Sequence, residues 1–521
     1  MSISKFAFRP LCLGLALAVA AIGTASAAAQ ETARYVVEFK PGMAAAARKA
    51  LAEAGGRIKL EIIGGEAVAI ELPKKAIAML KKHGAIAEIS EDAIRVPFGL
   101  EAAGKVKGET YLAGQTIPYG ITMVQADQLS DVNAANRTLC IIDSGYDLQH
   151  EDLKDNSVDG EFDTGTGWWY TDETHHGSHV AGTIAAMNNK NVGVVGVNPN
   201  KKLHLHIVKV FGADGAWTYS STLANAAKKC QAAGANVITM SLGGALNNPL
   251  ESKTFQNLYD AGILSIAAAG NAGTTAKSYP AGYTSVVSIA AVDSNKQWAS
   301  FSQYNADVEL AAPGVNVLST VPMGTGSDST LVVGATTYAP GGMDGSPKAT
   351  VTAPLADFGL GDAVNTAVAG KICVIQRGTI AFSDKVTNCQ NSGGVGAIVY
   401  NNVAGGYGGT LGGVATTIPS VTASDTEGAS LESKLGQSAT IAVTASNYAY
   451  FDGTSMATPH ASGVAALVWS YFPECTNAQL RVSLQKSALD IGDAGKDNKT
   501  GYGLIQAKAA YDRIAKKGCG K

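Results

Sequence analysis

Leu139-Cys140-Ile141-Ile142-Asp143-Ser144-Gly145 begins as an uninterrupted apolar run and ends on a carboxylate. Four more short, largely apolar runs follow it at residues 205–210, 237–240, 263–268 and 286–291, and segments with helical periodicity separate them. Runs that are apolar on both faces and alternate with helices are typical of a parallel sheet covered by helices on both sides. The sequence therefore predicts an α/β core.

Two polar residues come directly after buried runs of this core. Asp143 ends the first run, and Asn271 follows the run that closes at Ala268. The carboxyl ends of parallel strands form the edge at which open α/β sheets build their sites. We therefore predict that both side chains lie at that edge, with the Asn271 amide donating to an oxyanion. A simple turn cap before Gly273 is the alternative for Asn271.

A histidine and a serine each stand where a helical pattern begins. His176 opens His176-Gly177-Ser178-His179-Val180-Ala181-Gly182, and Ser455 lies in Gly453-Thr454-Ser455-Met456-Ala457-Thr458-Pro459. Proline is tolerated in a first turn, so Pro459 predicts a helix that starts near Ser455 and leaves the Ser455 N–H free to donate. A serine hydroxyl becomes a nucleophile only beside a base and an orienting carboxylate, which His176 and Asp143 would supply.

Taken singly, these residues are ordinary, since serine is a common helix cap. Together, however, they form three motifs in the order Asp, His, Ser, which is the order found in subtilisin. The motifs resemble those of subtilisin-like serine peptidases and are Ile141–Gly145, His176–Gly182 and Gly453–His460. The resemblance implies an endopeptidase with Ser455 as nucleophile and His176 as base. Asp143 would orient the imidazole, while Asn271 and the Ser455 N–H bind the oxyanion. We predict only supporting roles for His175 and His179.

The resemblance extends to substrate binding. Ser241-Leu242-Gly243 and Gly215-Ala216-Trp217 match the two extended segments that hold a substrate strand by backbone hydrogen bonds. Gly270 matches the wall of the pocket for the side chain that precedes the cut. Ala272 replaces a carboxylate that many relatives carry there, so we predict a preference for large apolar or aromatic side chains.

A calcium site is also implied by the resemblance. Gln115, Asp152 and Asn189 match the family's side-chain ligands, and Val192 and Val194 lie in the accompanying loop. Oxygen ligands suit this hard cation. We expect the ion to act on stability rather than on the chemical step.

The first 112 residues differ in character from the peptidase core. Lys5 and Arg9, an apolar run and Ala25-Ser26-Ala27 have the pattern of an export signal. Residues 31–96 then read as strand, helix, strand, helix, strand, and they resemble the family's inhibitory prosegment. The predicted elements are strands 35–39, 67–71 and 86–89 and helices 43–54 and 74–83.

The region just before Ser455 interrupts the rhythm of helices and strands. It is rich in Gly, Ala, Thr and Val, and it resembles a protease-associated domain inserted into the peptidase. We therefore predict an α/β fold whose parallel sheet has helices on both faces, with a small α+β prosegment and a β-rich insertion. The predicted divisions are signal peptide 1–27, prosegment 30–98, linker 99–113, peptidase domain 114–323 and 446–521, and insertion 324–445.

Charge, cysteines and hydropathy narrow the range of partners. Residues 1–112 hold 15 of the 40 basic and 11 of the 43 acidic residues, which leaves the rest with a net charge of −7 and argues against nucleic acid. No later run of about 18 apolar residues predicts a membrane anchor. Beyond Cys12 there are six cysteines, an even number that suits disulfides in a protein secreted to an extracellular or periplasmic space. Since each falls within one local segment, we predict the pairs Cys373–Cys389 and Cys475–Cys519.

The predicted function is thus a secreted, self-processing monomeric endopeptidase that acts on polypeptides and is inhibited by its own prosegment. Two alternatives remain open. A secreted binding protein on a disabled peptidase scaffold would leave Ser455 unlabelled by a fluorophosphonate. A serine esterase would favour esters over amides, although Ser455 lacks the Gly-x-Ser-x-Gly elbow.

Overall fold

The computed structural model describes residues 31–101, 109–111, 115–189, 192–213, 215, 217–412 and 414–521. The predicted signal peptide and most of the predicted linker lie outside these residues. Within the described part of the chain, no helix is both long and apolar enough to cross a membrane.

The region predicted to be the prosegment forms a four-stranded antiparallel sheet in the order β2-β3-β1-β4. Its elements are β1 (Thr32–Phe39), α1 (Ala44–Glu53), β2 (Arg57–Glu61), β3 (Ala67–Pro73), α2 (Ile77–Leu80) and β4 (Ile86–Glu91). The sequence prediction missed β2, a five-residue edge strand that is largely exposed, although Ile58 and Leu60 alternate with charged residues in it. The predicted second helix is shorter than expected, and a 3-10 turn precedes it at Lys74–Ala76.

Four short strands connect the predicted prosegment to the core. They are β5 (Ile94–Pro97), β6 (Leu100–Glu101), β7 (Glu109–Tyr111) and β8 (Gln115–Ile117). β7 and β8 form an antiparallel pair. The beginning of the predicted linker is therefore part of a strand, β6, rather than an irregular segment.

The core is a seven-stranded, entirely parallel sheet in the order β10-β11-β9-β13-β15-β16-β17. This part of the chain comprises α3 (Tyr119–Met123), β9 (Thr138–Asp143), β10 (Ser157–Phe162), α4 (His176–Ala185), β11 (His204–Lys209), β12 (Thr218–Tyr219), α5 (Ser220–Ala232), β13 (Val237–Met240), β14 (Leu242–Gly243), α6 (Pro249–Asp260), β15 (Leu264–Ala268), β16 (Val286–Val292) and β17 (Val308–Pro313). The predicted α/β class is confirmed. β10 and β17 were not predicted, because one is a polar edge strand and the other contains Glu309.

Alternate residues of β9 belong to two separate hydrophobic cores. Leu139 and Ile141 pack with residues of α4, whereas Cys140 and Ile142 pack with residues of α5 and α6. Side chains alternate between the two faces of a strand, so both faces of the sheet are covered by helices. This explains the continuous apolar runs from which the fold was predicted.

The insertion extends an antiparallel ladder of the peptidase. β18 (Val317–Thr320) pairs with β28 (Tyr448–Asp452), and beyond them β19 pairs with β27. The inserted domain is a seven-stranded mixed sheet in the order β20-β19-β27-β22-β23-β24-β26. Its elements are β19 (Gly326–Val333), β20 (Thr336–Tyr338), β21 (Met343–Asp344), β22 (Thr350–Asp357), β23 (Ile372–Gln376), α7 (Phe382–Asn391), β24 (Gly396–Tyr400), β25 (Gly409–Thr410), β26 (Ser420–Ala423), α8 (Asp425–Glu432) and β27 (Ser438–Ser446). The predicted β-rich insertion is confirmed.

The chain ends in three helices, α9 (Thr454–Tyr471), α10 (Asn477–Ser487) and α11 (Ala507–Lys517). α9 is buried along its length except at Tyr471. Both predicted disulfides are present, Cys373–Cys389 and Cys475–Cys519, and a third joins Cys140 in β9 to Cys230 in α5.

Candidate active site

Asp143 and His176 meet at the carboxyl edge of the sheet. Asp143 is the last residue of β9 and His176 the first of α4, and His176 Nδ1 lies 2.7 Å from Asp143 Oδ1. Both side chains are buried. Burial lowers the pKa of His176, but the charges of Asp143 and Asp172 outweigh it and raise the pKa above 6.5. The pair can therefore hold an imidazole in one orientation and stabilise its cation.

Asp172 is a buried residue of this site that the sequence analysis missed. Its carboxylate accepts hydrogen bonds from Ser178 N at 2.7 Å and from Ser144 Oγ at 2.8 Å, and Ser144 Oγ in turn accepts from Gly177 N. Asp172 thus caps α4 and ties the turn after Asp143 to the helix that carries His176. In the sequence, the feature that could have indicated this role is a carboxylate four residues before His176.

Ser455 is the second residue of α9, which begins at Thr454. Pro459 is the sixth residue of α9, so the prediction that it lies in the first turn is wrong. A proline lacks the N–H that would bond the carbonyl four residues back, which here is that of Ser455. Ser241 Oγ donates to this carbonyl at 2.8 Å instead, which explains how the helix tolerates the proline.

The carbonyl oxygen of Phe98 accepts two hydrogen bonds at the start of α9. Asn271 Nδ2 donates at 2.8 Å and Ser455 N at 3.3 Å. Thr454 fixes the asparagine, because its N and Oγ1 donate to Asn271 Oδ1 at 2.9 and 2.8 Å. Gly453 has φ 151°, and a Cβ there would lie 2.2 Å from the Phe98 oxygen, so only glycine admits this carbonyl. Two N–H groups thus converge on one peptide carbonyl.

Phe98 is held there because the preceding strand, β5, lies between two strands of the peptidase. β5 pairs antiparallel with β14, with Gly243 opposite Val96, and with β12 on its other side. Phe98 N donates to Ser241 O at 3.1 Å. The Phe98 ring packs on Gly243, where a Cβ would lie 2.6 Å from Phe98 Cε2. The residues predicted from Ser241-Leu242-Gly243 therefore contact this strand.

The other predicted segment needs correction. The ladder on that side is formed by Thr218 and Tyr219, not by Gly215 and Trp217. Gly215 has φ 56°, which does not fit an extended pairing strand, and Trp217 is exposed with its ring edge against Tyr219. Ala216 lies outside the described residues.

Gly270 was predicted to line the pocket. Its N–H donates to Thr454 Oγ1 at 3.1 Å, and a Cβ there would lie 1.8 Å from Gln303 Oε1. Gly270 therefore lies beside Thr454, the residue that orients Asn271.

The chain continues past Phe98 without leaving the cleft. A Cβ on Gly99 would lie 2.8 Å from His176 Nε2, and Leu100–Glu101 (β6) pairs antiparallel with β28. A cleft of about 700 Å³ adjoins this stretch, and it is lined both by the core at His176 and by the insertion at Lys348 and Phe382. The Phe98–Gly99 peptide thus passes between the serine and the histidine.

The body of the predicted prosegment packs on α5 and α6. Asp92 accepts hydrogen bonds from Ser220 and Ser221 at the start of α5, and Asn225 Nδ2 donates to Glu61 O at 3.0 Å. A hydrophobic cluster joins Val36 to Leu250 across the same contact. The N-terminal region therefore contacts the surface of the core at α5 and α6 as well as the cleft.

The predicted calcium ligands form a cluster of oxygen donors. Gln115 Nε2 lies 2.7 Å from Met187 O and 2.9 Å from Val194 O, and Asp152 accepts from Val194 N and Asn189 Nδ2. Gln115 Oε1 is buried with no hydrogen-bond partner among the described residues. Carboxylate, amide and carbonyl oxygens fit Ca²⁺. Val192 lies in the same loop, two residues before Val194.

The remaining histidines near the site have structural contacts. His179 Nε2 lies 3.0 Å from Val317 O, its ring stacks on Phe451, and burial lowers its pKa to about 3. His175 precedes α4 with φ 70°. In the described residues a second metal-capable group, Glu474 with Cys475 and Cys519, has both sulfurs in a disulfide.

Comparison with known families agrees with the fold. The subtilase family profile matches residues 135–353 and 384–503, and the PA domain profile matches residues 334–431. The protein belongs to the subtilase family, and it is a subtilisin-like serine endopeptidase that acts on polypeptides. The resemblance predicted from the three motifs is confirmed.

Individual relatives support this assignment. Subtilisin DY of Bacillus licheniformis is 42% identical over 217 residues, which are 40% of this chain and 77% of the relative. Subtilisin E of Bacillus subtilis (strain 168) is 35% identical over 302 residues, 56% of this chain and 74% of the relative. The crystal structure of a psychrophilic subtilisin-like protease from the Antarctic psychrotroph Pseudoalteromonas sp. AS-11 is similar with a TM-score of 0.63 at 43% identity, covering 78% of this chain and 100% of that one.

Proposed function

We propose that the protein is the secreted, self-processing precursor of this endopeptidase and that it cuts its own chain between Phe98 and Gly99. The observation that carries the proposal is the Phe98 carbonyl oxygen, which accepts from both Asn271 Nδ2 and Ser455 N. Donors aimed at a carbonyl in this way stabilise the oxyanion that forms when the carbon is attacked.

In the proposed mechanism, Ser455 Oγ attacks the carbonyl carbon of Phe98. The hydroxyl donates to Ser241 O at 2.8 Å in this structure, so it first rotates toward His176. Its proton passes to His176 Nε2, which has no hydrogen-bond partner in the described part of the chain. His176 then gives the proton to the Gly99 nitrogen as the C–N bond breaks. Water hydrolyses the acyl-enzyme by the same route and leaves Phe98 as a carboxylate.

The strand that precedes the proposed cut, β5 with Phe98, also supports the predicted inhibition and the predicted substrate specificity. A prosegment that occupies the cleft as a paired strand excludes other polypeptides until it is released. The aromatic ring of Phe98 stands in the position before the cut. This agrees with a preference for large apolar or aromatic side chains.

Secretion, a monomeric state and calcium belong to the same proposal. Three disulfides suit an oxidising compartment. One chain supplies the triad, both oxyanion donors and both strands that hold β5, so no second subunit is needed. Gln115, Asp152, Asn189 and the carbonyl of Val194 would hold Ca²⁺, which would stabilise the folded chain that binds it.

The test is processing of the purified full chain. The Ser455→Ala precursor should remain uncut, whereas the wild type should yield a new N-terminus at Gly99 by Edman sequencing and mass spectrometry. Ser470→Ala, in the same helix, is the matched control and should mature normally. A fluorophosphonate should label the mature wild type at Ser455.

Three outcomes would contradict the proposal. Cutting of the pure Ser455→Ala precursor would exclude self-processing through this serine. A mature N-terminus elsewhere in the wild type would exclude the Phe98–Gly99 bond. A wild type that folds but stays unlabelled would favour the inert scaffold, and turnover of esters without amides would favour the esterase.

A further inference from the structure

The fourth residue before the proposed cut is a fully buried arginine. Arg95 lies in β5, and its guanidinium pairs with the carboxylate of Glu251, which is also fully buried. The contact is bidentate, with Nε 3.2 Å from Oε1 and Nη2 bonded to Oε2, and Nη1 donates to Ile94 O at 2.9 Å. An arginine fork on a carboxylate is more directional than a lysine pair, because two parallel hydrogen bonds fix its geometry.

The two partners belong to different products of the proposed cleavage. Arg95 leaves with the prosegment, whereas Glu251 stays with the peptidase as a residue of the first turn of α6. Its own N–H donates to Asn248 Oδ1, the cap of that helix, at 3.1 Å. The backbone of Glu251 is therefore fixed by the peptidase itself, and the proposed maturation removes the counter-ion of its carboxylate.

Glu251 has the properties of a recognition group rather than of a passive core residue. With Arg95 beside it, the pKa of Glu251 is raised by burial to about 6 although Arg95 lowers it, so the carboxylate is ionised at neutral pH when an arginine is paired with it. Its place in the first turn of a helix favours the negative charge. A buried carboxylate needs a partner, and a substrate strand would present one at the position where β5 presents Arg95.

We propose that Glu251 makes the mature enzyme select polypeptides with arginine at the fourth position before the cut. This inference rests on the proposed function, because it takes β5 as the template for other substrates. Arginine would restore both hydrogen bonds, and lysine would restore the charge with a single point contact. A leucine or alanine at that position would leave the carboxylate covered by the substrate strand without a counter-ion.

The backbone around the pair limits what else can fit. A Cβ on Gly244 would lie 2.1 Å from Ile94 O and 3.1 Å from Arg95 Nη1. The glycine therefore lets the substrate strand approach closely enough for the guanidinium to reach Glu251. The preference for arginine thus depends on the charge of Glu251 and on the close approach that Gly244 allows. It acts together with the preference for an aromatic residue directly before the cut.

The test uses the mature wild-type enzyme and the p-nitroanilides succinyl-Xaa-Val-Pro-Phe, with Xaa as Arg, Lys, Gln, Leu or Ala. We expect kcat/KM for the Arg peptide to exceed that for the Leu and Ala peptides by on the order of 30-fold, with Lys between them. Equal kcat/KM across the series with normal turnover would overturn the assignment of Glu251 alone. Absence of turnover with every peptide would overturn the proposed function as well.

Variants then locate the effect. Glu251→Leu is made in a precursor that also carries Arg95→Leu, so that neither charge is buried without a partner during folding. The mature enzyme from it should lose the preference for Arg and cleave the Leu peptide at least as well as the wild type. Asp260→Asn, at the exposed end of the same helix, should keep the wild-type order. An Arg preference that survives in Glu251→Leu would refute the proposal.

Discussion

Ser241 and Ser455 exchange two hydrogen bonds, because the hydroxyl of each donates to the carbonyl oxygen of the other at 2.8 Å. One bond satisfies the carbonyl that Pro459 leaves without a helix donor. The other holds the proposed nucleophile away from His176 until it rotates. Ser241 O also accepts from Phe98 N, so one residue connects the helix carrying the nucleophile to the strand in the cleft.

The first prediction concerns the stability of this connection. Ser241→Ala should leave the buried Ser455 carbonyl unsatisfied and lower the free energy of unfolding by about 1–3 kcal/mol. Urea unfolding in the Ser455→Ala background avoids self-digestion and keeps the carbonyl in place. Ser433→Ala removes an exposed hydroxyl that also bonds a carbonyl, and it should have little effect. Equal stability of the two double variants would show that water replaces the Ser241 hydroxyl.

The second prediction concerns the oxyanion donors. Asn271→Ala should slow processing and peptide turnover by about 10²–10³, the loss known for the corresponding donor of subtilisin, with KM little changed. Thr454→Val removes the hydroxyl that orients the amide but leaves the Thr454 N–H bond, so its loss should be smaller. The measurements are kcat and KM on one p-nitroanilide. A larger loss of kcat for Thr454→Val than for Asn271→Ala would contradict the assignment of Asn271 as the donor and of Thr454 as the residue that orients it.

The sequence predicted correctly those features of the fold and of the candidate site that one short segment determines. β9, β13, β15 and β16 are buried on both faces, so their composition alone indicates a parallel sheet. The motifs around Asp143, His176 and Ser455 likewise carry their signal within five to eight residues. The edge strand β10 was missed because Asp159, Gly160 and Glu161 interrupt its apolar residues, and β2 was missed because it is short and largely exposed, although Ile58 and Leu60 alternate with charged residues.

The contacts that the sequence could not provide are those between distant segments. Arg95 and Glu251 are 156 residues apart, and nothing local marks them as partners. The register of β5 against β12 decides that Thr218 and Tyr219 form the ladder, three residues beyond the predicted start at Gly215. Pro459 was misplaced because its tolerance depends on a hydroxyl from Ser241, more than two hundred residues away.

The third prediction concerns the bond that is cut. Gly99→Val should slow or prevent processing, because a Cβ at this position would lie 2.6 Å from His176 Cδ2 and 2.8 Å from Nε2. Gly84→Val is the control, since a Cβ there meets nothing within 4 Å. The readout is the fraction of precursor cut over time on a denaturing gel. Processing of Gly99→Val at the wild-type rate and the same bond would contradict the position assigned to His176.

The fourth prediction concerns calcium. Chelation should lower the thermal midpoint of the mature enzyme and speed its autolysis, because an ion at 100 times its Kd stabilises the folded state by about 2.7 kcal/mol. Asp152→Asn should reduce this dependence, whereas Asp155→Asn, which removes an exposed carboxylate three residues later, should retain it. Differential scanning fluorimetry with and without calcium measures the shift. A full calcium effect in Asp152→Asn would place the ion elsewhere.

The last prediction concerns pH. His176 acts as a base only when neutral, so activity should rise with pH as the imidazole loses its proton. Asp143 and Asp172 raise the pKa of His176, so the acidic limb of kcat/KM should have its midpoint above pH 6.5. Asp172→Asn removes one of these charges and weakens the stabilisation of the cation, so the midpoint should move to lower pH. Burial is the one cause that lowers the pKa of His176, and release of the prosegment makes His176 less buried. The pKa should therefore stay raised in the mature enzyme. An unchanged midpoint in Asp172→Asn would show that Asp172 acts on the site only by capping α4.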